Sequence, residues 1–233
     1  YLEDDPAQFE YWLQQANAYL AQEDYADAAA NLEIARLLGN DNAQSLVLLG
    51  SLYLNLDIPA LALDPYQAAI GSGQLDAERV LDLARTYGRR ATPEDAASLL
   101  GAIEERYADD LSETNELTLL TLQANTALAA GDRERSIDLL ERVVARDPLN
   151  GDALLTLGRY YYETEAFEVA ADYYRRAESV ESAQLEALLG HARTRVQMNE
   201  YGAAINLLRE AQTIRDQPFI AQYIRNLEAF VRR

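Results

Sequence analysis

A row of small residues recurs along this chain at near-constant spacing. Ala16, Gly50, Ala84, Ala124, Gly158 and Ala192 are separated by 34, 34, 40, 34 and 34 positions. A second row, Ala28, Ala62, Ala96, Ser136, Ala170 and Ala204, takes the same steps, and so does a third, Ala35, Ala69, Ile103, Val143, Ala177 and Ala211. Three rows that keep one period and share one six-residue slip define an internal repeat. Periods of this size belong to stacked units that bury a core only in combination.

Each unit reads as two short helices. In residues 151–184, apolar residues fall at Leu154, Leu157 and Tyr161, then at Val169, Ala170, Tyr173, Tyr174 and Ala177, all at helical spacing. Glu163-Thr164-Glu165-Ala166 lies between them as a turn. Other units place Gly131-Asp132 or Thr92-Pro93-Glu94-Asp95 at the equivalent point. The latter is a helix start: a threonine cap, proline in the first turn, and acids near the positive end of the dipole. Asp147-Pro148 and Gln217-Pro218 separate neighbouring units, because proline biases the preceding residue away from helix. The small residues then have a purpose. Two helices in a tight hairpin cross closely, and a large side chain at the crossing would hold them apart. Gly158 and Ala170 let the hairpin close, and Ala177 lets the next hairpin stack.

This pattern resembles the tetratricopeptide repeat. In "ALLTLGRYYYETEAFEVAADYYRRA", Leu157-Gly158, Tyr161, Phe167, Ala170, Tyr174 and Ala177 occupy family places. Trp12 stands where the family favours tryptophan, and Tyr25, Phe167 and Tyr201 share its turn aromatic. The resemblance implies an all-α fold, a right-handed α-α superhelix, as a single array over 1–233. Its repeats are 9–42, 43–76, 77–110, 117–150, 151–184 and 185–218. Residues 111–116, "LSETNE", are an insertion that lengthens a helix or loop. Pro65 falls inside the expected second helix of repeat two and should kink it. Ser136 for alanine is a mild change. Residues 219–233 form a capping helix with Phe219, Ile220, Tyr223, Ile224, Leu227, Phe230 and Val231 on one face, opposite Arg225, Glu228 and Arg232. An (α/α)₆ barrel enzyme would need longer helices and a closed ring; helices of about 12–15 residues ending in a cap favour an open solenoid.

Composition bounds the partner. The formal charge is -19, which disfavours nucleic acid and anionic membrane surfaces. All 20 basic residues are arginine, consistent with a GC-rich genome or with a high-salt environment. The chain has no cysteine, which excludes disulfides, thiolate metal sites and cysteine nucleophiles. No apolar run approaches the roughly 18 residues of a membrane span. Residues 1–8 lack the character of a signal peptide. Met198 is the only methionine, so the chain reads as a fragment or processed form.

No motif for phosphate, dinucleotide, zinc or calcium binding is present, and no cofactor is expected. His191, the one histidine, falls among packed positions and reads as structural. Glu104-Glu105 and Asp109-Asp110 read as solvated surface, not as a catalytic acid and base. "DDPAQ" and "NDN" are too short for metal sites. Tyr161, Tyr173 and Tyr174 read as core, while Tyr162 is a contact candidate.

In the family, the first helix of each repeat lines a concave groove. That resemblance places Asn17, Ser51, Arg85, Asn125, Arg159 and Arg193 along its centre. Leu13, Val47, Leu81, Thr121, Leu155 and Leu189 run beside them, with Leu20, Leu54, Leu128, Tyr162 and Val196 one turn on, and Arg89 one turn from Arg85. Chaperone-binding members use a carboxylate clamp of lysines and asparagines. Here there is no lysine, and Leu13 and Thr121 stand where a cation is needed, so a chaperone-tail adaptor is disfavoured. The arginines suit an extended segment with acidic and apolar residues. The competing account is internal: Glu163 lies four residues beyond Arg159, and Glu186 seven before Arg193. The implied function is a non-enzymatic protein-binding scaffold or assembly factor. The alternatives are a self-association module, dimeric in solution, and an accessory domain of a larger envelope, secretion or polysaccharide-export protein. Bacterial members of the family often serve in the cell envelope; the cytoplasm is the other compartment.

Overall fold

The structure is a computed structural model that describes residues 7–232. Asp4 and Asp5 of the first acidic stretch and Arg233 of the expected cap lie outside the described residues. Within them, all regular secondary structure is helical: α1 Phe9–Leu20, α2 Tyr25–Leu37, α3 Ala43–Asn55, α4 Leu63–Gly71, α5 Ala77–Gly88, α6 Pro93–Tyr107, α7 Glu113–Ala129, α8 Arg133–Arg146, α9 Gly151–Glu163, α10 Phe167–Ala177, α11 Gln184–Gln197, α12 Tyr201–Ile214 and α13 Pro218–Val231. They fall into two compact units, one ending at Asp132 and the other beginning at Arg133.

In the first unit α1 pairs with α2, α3 with α4 and α5 with α6, and α7 packs on both α5 and α6. In the second, α9 pairs with α10 and α11 with α12, α8 packs on α9, and α13 closes on α12. Each element has a local cause. Asn42, Asp76, Thr92, Ser112 and Asn150 cap α3, α5, α6, α7 and α9 by accepting backbone N–H groups that helix geometry leaves unpaired. Pro93 and Pro218 stand in first turns, where a missing N–H costs nothing.

All eighteen residues of the three small rows are buried. Gly50 and Gly158 show why two of the places have no Cβ. One added at Gly50 would meet the Tyr66 ring at 2.5 Å, and one added at Gly158 the Tyr174 ring at 2.9 Å.

The hairpin turns carry a further periodic feature. Glu23, Asp57, Gly131, Glu165 and Asn199 all have a left-handed backbone, with φ of 59°, 60°, 81°, 61° and 61°. Each ends a first helix. At Glu165 the N–H donates to the Tyr162 carbonyl, and the next N–H, of Ala166, reaches back to Tyr161. That is a Schellman turn, which satisfies carbonyls the helix end would orphan. Repeat three differs: the N–H groups of Arg90 and Ala91 both donate to Tyr87, and Thr92-Pro93 opens α6 at once.

Two expectations change, for Pro65 and for the cap, and that for the insertion is narrowed to one of its two alternatives. Pro65 does not kink a long helix. Residues Pro59–Ala62 form a 3-10 turn, α4 starts only at Leu63, and Pro65 stands in its first turn. The insertion lengthens a helix: Ser112 caps α7, which at 17 residues is the longest described. The cap stripe is narrower than read. Ile220, Ile224 and Leu227 are buried with Leu188, Ala204 and Leu208, but Phe219, Phe230 and Val231 are exposed. Phe219 and Phe230 lie on the flank of a stripe spaced i, i+4, i+7, and Val231 is the last residue of the helix.

Candidate functional site

Seven of the eight groove candidates sit on first helices, and Arg89 follows directly as the C-terminal cap of α5. Asn17, Arg85, Arg89, Asn125, Arg159 and Arg193 are exposed; Ser51 and Tyr162 are half-buried. Of the flanking rows, Leu81, Leu155 and Leu54 are buried core residues and so do not line a surface, while Val47, equally buried, reaches only the wall of a cleft between α3 and the start of α5. Leu13, Thr121, Leu189, Leu20 and Val196 are half-buried and Leu128 is exposed. The difference follows from helix geometry: places four before and three after an exposed residue lean toward the neighbouring helix.

In the first unit, α5, α6 and α7 enclose a cleft of about 320 Å³ that brings Arg85, Arg89 and Asn125 together. Its walls are small or apolar: Ala84, Gly88, Ala91, Pro93, Ala96, Leu100, Leu122 and Ala129, with Thr126 beside Asn125. Arg85 is held by Asp82 at 2.6 Å. Arg89 has no carboxylate partner among the described residues. A second cleft, of about 540 Å³, lies between α3 and the start of α5 and is lined by Val47, Ser51, Asp76 and Arg79 among others. Ser51 is committed internally there. Its hydroxyl donates to the Val47 carbonyl at 2.8 Å and lies 3.2 Å from the Tyr66 hydroxyl. Asn17 stands apart on α1, in neither cleft.

In the second unit, Arg159 of α9 is paired with Glu186 of α11 at 3.0 Å. Glu163, the nearer acid in sequence, is bound instead by Arg133 at 2.9 Å. Arg193, like Arg89, has no carboxylate partner among the described residues. Its charge is felt by Tyr174 and Tyr223, whose hydroxyls burial pushes above the usual tyrosine range while Arg193 pulls them down. The Tyr162 hydroxyl accepts a bond from Gln197 at 3.2 Å, and its ring meets the edge of Phe167 at 5.7 Å.

Of the three tyrosines read as core, only Tyr174 is buried. Tyr161 and Tyr173 are half-buried and stack on each other, centroids 5.5 Å apart and planes 6° from parallel. Both hydroxyls donate to one oxygen of Glu141, at 2.6 and 3.5 Å. The bond to Glu141 and burial together hold the Tyr161 hydroxyl far above its ordinary titration range. Tyr53 donates to Glu33 at 3.2 Å in the same way, three repeats earlier. The shared spacing of 20 residues in Glu33–Tyr53 and Glu141–Tyr161 was a readable signal.

His191 is locked. Arg195 Nε, which can only donate, bonds Nε2 at 3.0 Å, so the ring proton lies on Nδ1 and goes to Glu178 at 2.6 Å. Arg195 is itself paired with Glu200. Both ring nitrogens are thus used inside the fold.

Gly88, which sequence reading passed over, and Pro93, read only as part of a helix start, shape the α5–α7 cleft. Gly88 holds the place of Leu20, Leu54, Leu128, Tyr162 and Val196, and Pro93 holds the place of Tyr25, Phe167 and Tyr201. A gap in one row and a substitution in another were the available signals.

A family model described as Tetratricopeptide repeat matches residues 13–77 and 121–184, together more than half of the chain. Among solved structures, PilF of Pseudomonas aeruginosa is similar over 94% of this chain and 96% of its own, at 14% identity and a TM-score of 0.57. PilW, a type IV pilus biogenesis factor, is similar over 93% of this chain and 98% of its own, at 19% identity and a TM-score of 0.53. At such identities the likeness is one of fold. Among curated proteins, none matches the chain by sequence.

Proposed function

Because the chain belongs to the tetratricopeptide repeat family, a family of protein-interaction scaffolds, we propose that it is a non-enzymatic scaffold or assembly factor that holds an extended segment of a partner protein against its first helices. The observation that carries this reading is the state of two arginines. The chain has 39 acidic residues against 20 arginines, yet Arg89, at the C-terminal end of α5, and Arg193, on α11, are exposed and have no carboxylate partner among the described residues. In a chain this acidic, an unpaired exposed guanidinium is a ready site for a partner's carboxylate, which it can bind bidentately.

Asn17 and Asn125 offer exposed amides that can both donate to and accept from an extended backbone. Tyr162 offers the edge of a half-buried ring. Arg85 and Arg159 contribute less, since each already has an acidic partner. The segment that suits this set carries acidic residues with apolar ones between them. The net charge of -19 weighs against nucleic acid. No described helix is long and apolar enough to cross a membrane.

Self-association is the second reading. It rests on Phe219, Phe230 and Val231, three large apolar side chains left exposed on α13. The solution mass over a range of concentrations separates the two.

The test of the first reading is peptide selection. Short random peptides displayed on phage are panned on the protein, and the enriched ones are measured by fluorescence anisotropy. The expected peptides combine Asp or Glu with apolar residues. Arg89→Glu and Arg193→Glu together should weaken them at least tenfold, about 1.4 kcal/mol, with helical content unchanged. Enriched peptides that bind the double variant equally well would refute the reading.

A further inference from the structure

Five of the six repeats place a large apolar residue near the end of the first helix: Leu20, Leu54, Leu128, Tyr162 and Val196. Five positions on, three of those repeats place an aromatic residue that opens the second helix: Tyr25, Phe167 and Tyr201. In repeat five these two places touch, with Tyr162 and Phe167 edge to face at 5.7 Å. Repeat three has neither. Its residues there are Gly88 and Pro93, and both line the 320 Å³ cleft between α5, α6 and α7. A Cβ added at Gly88 would meet only the Ala96 methyl, at 3.8 Å, so the space in front of that glycine is open.

We propose that this cleft is a pocket for one aromatic side chain of the partner segment, which there supplies the ring that the repeat itself lacks. Three further features fit that occupant. The walls come from Ala84, Ala91, Ala96 and Leu100, small and apolar, as a ring requires. The volume is at the lower end of the range of small-ligand pockets and suits a side chain, not a cofactor. Arg89, which has no carboxylate partner among the described residues, lines the cleft at the end of α5, and Asn125 and Thr126 line it from α7. The recognised element is therefore an aromatic residue with a carboxylate on it or next to it, the ring entering the cleft and the carboxylate facing Arg89. This pocket rests on the reading of the chain as a peptide-binding scaffold and names the residue that the scaffold reads in repeat three.

The test uses small probes and the whole chain. N-acetyl-phenylalanine carries the ring and the carboxylate, N-acetyl-phenylalaninamide the ring alone, and N-acetylglycine the carboxylate alone. Each is titrated into isotope-labelled protein and followed through the backbone amide resonances. N-acetyl-phenylalanine should shift resonances of residues 84–100 and 122–129, with affinity in the millimolar range. The amide should bind at least threefold more weakly, and N-acetylglycine should leave those resonances in place. Gly88→Leu restores the residue type of the row. It should fold, melt no lower than the native chain, and lose the response to N-acetyl-phenylalanine. Arg89→Gln should keep the response to the amide and lose the advantage of the acid.

Absence of shifts at those residues with every probe would overturn the pocket, and so would an undiminished response in a folded Gly88→Leu. Either result is separable from failure of the scaffold reading. If selected peptides still bind and Arg193→Glu still weakens them, the scaffold stands without this pocket. If no peptide is enriched at all, the scaffold reading itself fails.

Discussion

Tyr174 of α10 lies across Gly158 of α9 so closely that a Cβ at 158 would stand 2.9 Å from its ring. Gly190 of α11 faces the same ring from the next hairpin. Gly50 and Tyr66 repeat the relation, and the tyrosine and glycine places are coupled along the chain. Where the second-helix residue is Leu32, Leu100 or Leu208, the first-helix residue is Ala16, Ala84 or Ala192. Tyrosine with glycine, or leucine with alanine, fills the same space.

That coupling is measurable. Gly158→Ala gains helix propensity but overpacks the crossing, and should lose about 1–3 kcal/mol of stability. Tyr174→Leu alone leaves a void and should also destabilise. Together they restore the leucine–alanine pairing, so denaturant titrations of the double-mutant cycle should show a favourable coupling of about 1 kcal/mol or more. Additive losses would show that the two residues do not share one space.

The turns give a second prediction. Glu23 and Glu165 hold left-handed backbones that cost a residue with a Cβ about 1–2 kcal/mol relative to glycine. Glu165→Gly should therefore raise the melting temperature, while Gly131→Ala, at the equivalent place, should lower it. Both are read by a thermal melt, and a fall with Glu165→Gly would contradict the turn assignment.

These two features differ in how far the sequence reveals them. Alanine, glycine and serine are alike in size, so the three small rows stand out and lead to the hairpins. The left-handed turn position accepts glutamate, aspartate, glycine and asparagine, which share no property a reader would group. Its period of 34 is present but hidden. The ion pairs are hidden for another reason. Arg159 has Glu163 one helical turn away, yet pairs with Glu186 on α11, while Glu163 is held by Arg133 of α8. The cleft at Gly88 is legible only as a missing side chain, which becomes a pocket once α7 is seen to pack on α5 and α6.

Alkaline pH supplies a third prediction. Tyr53 is pushed up to about 12 by burial and then by Glu33, and Tyr87 to about 12 by burial and then by Asp95, from an ordinary value of 10.0. Both folded values are raised, so the native state keeps its protons after the unfolded chain has lost them. The stability that these groups contribute is complete below pH 10 and falls as pH rises through 12. The Tyr87 hydroxyl is also buried without a hydrogen-bond partner among the described residues, so Tyr87→Phe should be no less stable at neutral pH and should lose less on going alkaline. Denaturant midpoints across that range, compared between the native chain and Tyr87→Phe, provide the check. Identical alkaline losses in both would exclude Tyr87 as a source.

Hydrogen exchange with and without a selected peptide tests the central claim most directly, because it reports where the partner lies. The account predicts slowed exchange in first helices, at residues 85–89 and 122–126 of the first unit and 159–162 and 193–197 of the second, with α2, α4 and α12 unchanged. Protection confined to second helices, or to the exposed Phe219–Phe230 flank of α13, would contradict it.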